Sequence, residues 1–168
     1  CVLLCVALSG GVDDLIVKPL VGRLRPTFDP QVKYSIDIVD GLRGGGQFSF
    51  FSAHAANTFT IAAFFSLMVR SRLLSMGLFV WSLVNCWTRL YLGVHYPSDI
   101  LVGLLWGSVV ATLVYLIYYR TYRRISPALN YVSTQYTSTG YSRSDIDMVM
   151  TILMFTYLYT ILKTIIII

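Results

Sequence analysis

The stretch ILVGLLWGSVVATLVYLIYY, residues 100–119, is an unbroken apolar run that ends in aromatic residues and is followed by the basic cluster RTYRR. At about 1.5 Å per residue, a helix of this length reaches about 30 Å, the thickness of a membrane hydrocarbon core. Interfacial aromatic residues followed by arginines are typical of the cytoplasmic end of a transmembrane helix. The stretch therefore predicts a membrane-spanning helix that ends in the cytoplasm.

The composition of the whole chain agrees with this prediction. Of its 168 residues, 56% are hydrophobic and only 12% are charged, and the mean hydropathy is +0.68. A soluble domain carries about 25% charged residues because its surface must be solvated. The net charge of +5 does not indicate nucleic acid as a partner, because the arginines that produce much of it flank apolar runs, where the positive-inside rule predicts them: Arg70, Arg72, Arg120, Arg123 and Arg124.

Two further spans precede this helix. Residues 53–69 and 73–87 are apolar and helix-compatible, and only Arg70, Ser71 and Arg72 separate them, which predicts a tight antiparallel hairpin. An earlier apolar run covers residues 2–17. Because the chain starts at Cys1, inside this run, we expect further spans to precede it.

The remaining segments complete the predicted organisation. Residues 27–47 are polar and contain GLRGGG, which predicts an extramembrane loop with a short hairpin. Residues 1–124 form a transmembrane core, residues 125–147 a cytoplasmic connector, and residues 148–168 an additional apolar segment that crosses the membrane. The fold class is an all-α, polytopic helical bundle.

Three polar clusters fall at the outer face once the arginine-flanked ends are placed in the cytoplasm. They lie in KPLVGRLRP at residues 18–26, FSAH at residues 51–54 and TRLYLGVHYPSD at residues 88–99. Their members with chemistry to offer are Lys18, Arg25, Ser52, His54, Arg89, His95 and Asp99. Their common depth predicts one site for an anionic group.

The cations of these clusters suit a phosphoryl group. Lys18, Arg25 and Arg89 can neutralise its oxygens, and an arginine fork matches two oxygens at once. Ser52, at a predicted helix start, adds donors for a phosphate oxygen. Cationic side chains can supply the electrostatic stabilisation, so no metal or other cofactor is required. Arg23 is a further cation whose side chain the sequence does not place.

The histidines supply the chemistry on phosphorus. An imidazole can attack phosphorus when a carboxylate holds its other nitrogen, and Asp99 lies four residues after His95, near the start of the following helix. His54 can protonate the leaving group and then activate water. The sequence therefore predicts a phosphohistidine mechanism with His95 as the nucleophile.

These residues resemble a known family. KPLVGRLRP fits the pattern KxxxxxxRP, FSAH resembles PSGH, and TRLYLGVHYPSD fits SRxxxxxHxxxD, in that order. Together they resemble the motifs of the type 2 phosphatidic acid phosphatase (PAP2) superfamily of membrane lipid phosphatases. The stretch GGGQFSFFSAHAAN is similar to a bacterial subgroup of undecaprenyl-diphosphate phosphatases.

The resemblance implies a helical core and metal-free hydrolysis of a lipid phosphate or diphosphate. It also implies a site at the outer face of a bacterial cytoplasmic membrane, with surrounding membrane lipids and a lipid phosphate as partners. The roles implied for His95, Asp99 and His54 and for the phosphate ligands are those given above. The chain departs from the motifs at Phe51, Ala53 and Thr88.

Alternative functions remain open at this point. The sequence does not distinguish between four candidate substrates: undecaprenyl diphosphate, lipid A phosphate, phosphatidate and phosphatidylglycerophosphate. The superfamily also contains vanadate-dependent haloperoxidases, which are soluble and therefore fit this chain less well. A non-catalytic phosphate-binding or transport segment is disfavoured, because the complete spans carry no ionisable residue at mid-depth.

Several residues have simpler interpretations. Asp13 and Asp14 are expected to be solvated carboxylates at a helix end, although either can pair with Lys18 or Arg23. Trp87, Tyr91 and Tyr96 are expected to belong to an aromatic belt at the membrane interface. The three cysteines, Cys1, Cys5 and Cys86, lie in apolar context without the spacing of metal ligands.

Overall fold

The computed structural model describes residues 1–34, 46–125 and 134–167. Over these ranges the chain is helical, and its only β-type pairings are two isolated bridges, Leu24 with Phe48 and Tyr136 with Ser142. The α-helices are α1 (Val2–Val6), α2 (Lys18–Val21), α3 (Ala53–Val69), α4 (Arg72–Tyr91), α5 (Pro97–Ile125) and α6 (Arg143–Ile167). The all-α prediction is confirmed.

The N-terminal helical segment runs antiparallel to α3. Between α1 and α2 the chain continues through two π-helical stretches, Ala7–Gly11 and Asp13–Val17. Ser9 donates a hydrogen bond to the side chain of Asn57, and the Trp106 indole on α5 donates to the carbonyl of Leu8 at 3.0 Å. This segment is thereby fixed against both α3 and α5.

The predicted α3–α4 hairpin is present. Ser52 caps the start of α3, where its side chain accepts a hydrogen bond from the amide of Ala55. The helix ends at Arg70 in the left-handed conformation, and Ser71 immediately caps α4 by accepting from the amide of Leu74. The chain therefore reverses direction through two residues, Arg70 and Ser71. Helix α3 has the predicted bounds, residues 53–69.

Helices α3 and α5 approach each other closely at two glycines of α5. A Cβ atom added at Gly103 would lie 2.8 Å from the carbonyl oxygen of Ser52, and one at Gly107 would lie 2.8 Å from that of Ala56. Two glycines four residues apart let helix backbones approach closely in a membrane. Thr60 uses this proximity to donate a hydrogen bond to the Gly107 carbonyl at 3.1 Å.

Helices α4, α5 and α6 each contain a stretch long and apolar enough to cross a membrane, and α3 is a shorter apolar helix. The outer helix α6 packs on α4 and on the end of α3, where Ile146 is buried beside Val69 and Leu74. It begins five residues before the predicted segment 148–168, so the expected connector ends at residue 142. Asp145 in its first turn favours this earlier start, because carboxylates stabilise helix N-termini.

The polar loop of residues 27–47 is described in part. Residues 27–34 form turns that Asp29 stabilises, because its carboxylate accepts from the amide of Gln31 at 3.0 Å. The hairpin expected in this loop falls largely on residues 35–45, which lie outside the described residues.

The α3–α5 contact can be tested at Gly107. We expect Gly107→Ala to lower the free energy of unfolding by about 1–3 kcal/mol relative to Gly11→Ala, because the added methyl group overpacks the interface. Gly11 is also helical, and an added Cβ there meets no atom within 4 Å. Both changes replace a helical glycine by alanine, so the difference between them reports mainly the clash at Gly107. Equal unfolding transitions in detergent for the two variants would contradict this contact.

Candidate active site

The site lies where the start of α3, the end of α4 and the start of α5 meet. The amide of Ser52, just before α3, donates a hydrogen bond to the carbonyl of Asp99 in the first turn of α5 at 3.2 Å. A tight turn, which includes Gly93 with a φ of 62°, joins α4 to α5. This turn carries His95, and Arg89 lies in the last turn of α4.

His95 and Asp99 form a buried pair. The Nδ1 atom of His95 lies 3.8 Å from Oδ2 of Asp99, and their side chains are 3% and 0% exposed. This distance is within ion-pair range and longer than a hydrogen bond, as catalytic pairs in unliganded sites often are. Because Nδ1 faces the carboxylate, the other ring nitrogen, Nε2, is the one available for chemistry.

Asp99 accepts hydrogen bonds from other groups. Its Oδ2 accepts from the amide of Tyr96 at 3.0 Å, and its Oδ1 accepts from Nη1 of Arg23 at 2.9 Å. The same guanidinium donates to Ser98 and lies 4.0 Å from the centre of the Tyr96 ring. A carboxylate with these partners is fixed in position and in its charged form.

Arg23 is the functional residue that sequence reasoning did not place. Its position depends on the segment after α2, which returns to pair with the segment before α3: the amide of Ser49 donates to the carbonyl of Arg23 at 2.8 Å. The signal available in the sequence was the first of the two arginines in GRLRP, but the motif alone does not give its side-chain direction.

One of the simpler interpretations, the solvation of Asp13, was wrong. Tyr96 has specific partners within the chain: its hydroxyl donates to Asp29 at 2.9 Å and its ring stacks with Arg23. Burial raises the pKa of Tyr96, and the hydrogen bond to Asp29 adds to this effect. Asp13 is fully buried and is paired with Lys18, whereas Asp14 is exposed as expected.

Lys18 and Arg25 flank this arrangement on the N-terminal side. Lys18 is mostly buried, and its Nζ lies 3.1 Å from Oδ2 of Asp13. Arg25 is anchored by the strand-like pairing before α3, because its Nε donates to the carbonyl of Phe48 at 3.1 Å and its amide donates to that of Gln47 at 2.9 Å. Burial lowers the pKa of Arg25, and the charge of the nearby Arg89 also lowers it.

His54, the second residue of α3, has an exposed side chain. Arg89, His95, Lys18 and Arg25 act electrostatically on its imidazole, so residues from both of the other sequence motifs lie within electrostatic range of it. Ser52 is fully buried. Since its amide is already bonded to Asp99, only its hydroxyl hydrogen remains for an external acceptor.

All seven residues predicted from sequence thus belong to one network or lie within its electrostatic reach. The arrangement combines cations, one exposed imidazole and one buried imidazole backed by a carboxylate. Cations gathered around an imidazole can bind an oxyanion, and a carboxylate-backed imidazole can act as a nucleophile or base. Phosphoryl transfer needs both properties.

Comparison with known families gives an independent finding. A model of the PAP2 superfamily matches residues 1–123, which include all seven residues and end within α5. Helix α6 lies outside the match.

Curated bacterial relatives are lipid phosphatases. The chain is 43% identical over 111 residues to a lipid A 4'-phosphatase of Bacteroides thetaiotaomicron, a match covering 65% of this chain and 48% of the relative. It is 33% identical over 119 residues to a lipid A 4'-phosphatase of Porphyromonas gingivalis, covering 70% and 49%. A decaprenylphosphoryl-5-phosphoribose phosphatase of Mycobacterium tuberculosis is 37% identical over 100 residues, covering 60% and 50%.

The chain therefore spans about half the length of the curated relatives it matches. No solved structure gives a significant match to it.

The contribution of Arg23 can be tested by its removal. We expect Arg23→Ala to lower the free energy of unfolding by about 1–3 kcal/mol, because the buried Asp99 carboxylate loses a charged donor. Arg123→Ala is a matched control, since Arg123 also lies over a tyrosine ring, that of Tyr119, but is exposed. The control should change stability by less than about 0.5 kcal/mol. Similar losses for the two variants in detergent would show that Asp99 does not depend on Arg23.

Proposed function

We propose, from the premise that this chain belongs to the PAP2 superfamily, that it hydrolyses a phosphate ester on a membrane lipid and releases inorganic phosphate. The observation that carries the proposal is the buried His95–Asp99 pair at the meeting point of three helix ends, with Arg23 bound to the carboxylate and with Lys18, Arg25 and Arg89 acting electrostatically on His54. The match to the PAP2 family model supports the same class of reaction, the hydrolysis of a phosphate ester.

The first chemical step is attack on phosphorus. Nε2 of His95 forms a bond to phosphorus as the bond between phosphorus and the lipid oxygen breaks. Asp99 holds Nδ1–H and stabilises the positive charge that develops on the ring. His54, exposed and close to this centre, donates a proton to the departing lipid alkoxide. The products of this step are the free lipid hydroxyl and a phosphohistidine.

The second step regenerates the enzyme. His54, now neutral, takes a proton from a water molecule whose oxygen attacks phosphorus, and the bond from phosphorus to Nε2 breaks. Inorganic phosphate leaves and His95 returns to its starting state. One imidazole thus acts as the general acid in the first step and as the general base in the second.

The cations stabilise the charge on phosphorus in both steps. Lys18, Arg25 and Arg89 neutralise the non-bridging oxygens, and the Ser52 hydroxyl provides a further donor. Arg25 is held by the carbonyl of Phe48, so its guanidinium is oriented before substrate arrives. With this many fixed positive groups, the reaction proceeds without a metal ion.

The relatives favour a particular substrate. Both the Bacteroides thetaiotaomicron and the Porphyromonas gingivalis relatives are lipid A 4'-phosphatases. We therefore propose a phosphate monoester on lipid A or a similar glycolipid as the substrate of this chain. Undecaprenyl diphosphate, favoured by the resemblance of residues 44–57, is the second candidate, and the polyprenyl substrate named for the Mycobacterium tuberculosis relative supports including it.

The proposed location is a bacterial cytoplasmic membrane, with the site facing the periplasm. Three helices can cross a membrane, and the basic ends at Arg70, Arg72 and the end of α5 lie opposite to the site. Positive charge at the cytoplasmic ends then directs the His95 end outward. The lipid headgroup would reach the site from the outer leaflet.

The nucleophile is tested by His95→Ala. We expect the variant to keep its unfolding transition and to lose lipid phosphatase activity by roughly 10⁶-fold, the scale seen when a covalent nucleophile is removed. The assay is phosphate release in detergent from lipid A, undecaprenyl diphosphate, phosphatidate and phosphatidylglycerophosphate. Activity near that of the wild type would exclude His95 as the nucleophile. Halide oxidation with vanadate and peroxide, in a parallel assay, would instead indicate the haloperoxidase chemistry.

Metal removal provides a separate test of the electrostatics. We expect phosphate release to continue unchanged after treatment with EDTA and to be unaffected by added Mg²⁺, because the fixed cationic side chains stabilise the charge that a metal ion would otherwise stabilise. Orthovanadate should inhibit competitively, since it occupies the phosphate position. A chelator-sensitive activity that returns with a divalent ion would contradict the metal-free mechanism.

A further inference from the structure

Among the described residues, Asp13 and Asp99 are the two carboxylates that are fully buried. The side chain of Asp13 is 0% exposed, its Oδ2 lies 3.1 Å from Nζ of Lys18, and its Oδ1 accepts a hydrogen bond from the amide of Phe51 at 3.1 Å. A buried charge of this kind is costly unless it is paired and hydrogen-bonded. The two oxygens therefore join two separate segments, the end of the N-terminal helix and the residue before the α3 cap.

The π-helical stretch Asp13–Val17 produces this pairing. The amide of Lys18 donates to the carbonyl of Asp13, five residues earlier, so residues 13 and 18 come to the same side of the helix. In a regular α-helix, Lys18 would align with the residues three and four positions before it. Asp14 is the residue four positions before, and its side chain is 60% exposed.

The bond to Phe51 depends on a departure from the family motif. The pattern that FSAH resembles has proline at this position, and proline has no amide hydrogen to donate. Phe51 supplies one, and it immediately precedes Ser52, whose own amide is bonded to Asp99. A continuous chain of contacts thus runs from Lys18 through Asp13 and the Phe51–Ser52 backbone to Asp99.

We propose that Asp13 is a positioning residue that fixes Lys18 relative to the start of α3 and to Asp99. It acts through Lys18 and the Phe51 amide and does not itself touch the phosphate. This inference rests on the proposed phosphatase function. Its physical basis is that a lysine ammonium is a point charge on a flexible stem, so a fixed partner is needed to hold it at a defined distance from phosphorus.

The test compares two carboxylates that both contact Lys18. Asp13→Asn retains the shape of the side chain and an acceptor for the Phe51 amide but removes the charge that holds Lys18. Asp14→Asn is the matched control: it makes the same chemical change in a carboxylate that also pairs with Lys18 but is 60% exposed. The measurements are kcat and KM for the best lipid phosphate, the dissociation constant for orthovanadate, and the unfolding transition.

We expect Asp13→Asn to lower kcat/KM by roughly 10- to 100-fold and to weaken vanadate binding in parallel, as misplacement of a positioning group does. Asp14→Asn should change either quantity by less than about threefold, since an exposed ion pair contributes little. Wild-type vanadate affinity and kcat/KM in a folded Asp13→Asn protein would overturn the proposal.

A second pair of variants tests the other oxygen of Asp13. Phe51→Pro removes the amide hydrogen, and Phe51→Leu keeps it while also removing the ring that packs near Trp106. We expect the proline variant to weaken vanadate binding at least several-fold more than the leucine variant. Equal effects would overturn the link between Asp13 and the α3 start, even if Asp13→Asn fails to fold.

The vanadate measurement separates this inference from the proposed function. A wild-type protein that binds vanadate but hydrolyses no lipid in the panel would contradict the phosphatase assignment and still allow the Asp13 variants to be compared. A wild-type protein that binds no vanadate would overturn both.

Discussion

The close approach of α3 and α5 is the constraint on which the site depends. Gly103 has no side chain, so the start of α5 can lie against the carbonyl of Ser52, and the amide of Ser52 then reaches the carbonyl of Asp99. In a membrane, where apolar burial between helices contributes little, such close packing and interhelical hydrogen bonds hold a bundle together. The same contact brings the segment that carries His54 beside the turn that carries His95.

Two buried carboxylates organise the polar groups at this contact. Asp99 binds Arg23 and the amide of Tyr96 and faces His95, while Asp13 binds Lys18 and the amide of Phe51. Both are fully buried, and each uses its two oxygens for different segments of the chain. Lys18 and His95 are therefore each backed by a buried carboxylate, which limits the reorganisation of these two side chains when an oxyanion binds.

The sequence predicted the parts of the fold that depend on local pattern. The bounds of α3, the hairpin at Ser71 and the placement of His95 in a turn before Asp99 followed from apolar runs, caps and Pro97. What it missed depends on nonlocal or irregular geometry. Arg23 reaches Asp99 because the segment after α2 pairs with the segment before α3. The full burial of Asp13 against Lys18 depends on the five-residue alignment of a π-helical turn, which the expected α-helical spacing does not predict.

Trapping of a phosphohistidine would show whether His95 becomes covalently bonded to phosphorus. Protein that is turning over a ³²P-labelled lipid phosphate would be quenched in alkali, under which phosphohistidine survives, and the labelled peptide identified by mass spectrometry. We expect one phosphate on the peptide that contains residues 90–96, carried by Nε2 of His95. Label on Ser52 or His54, or none during turnover, would contradict the assignment of His95 as the nucleophile.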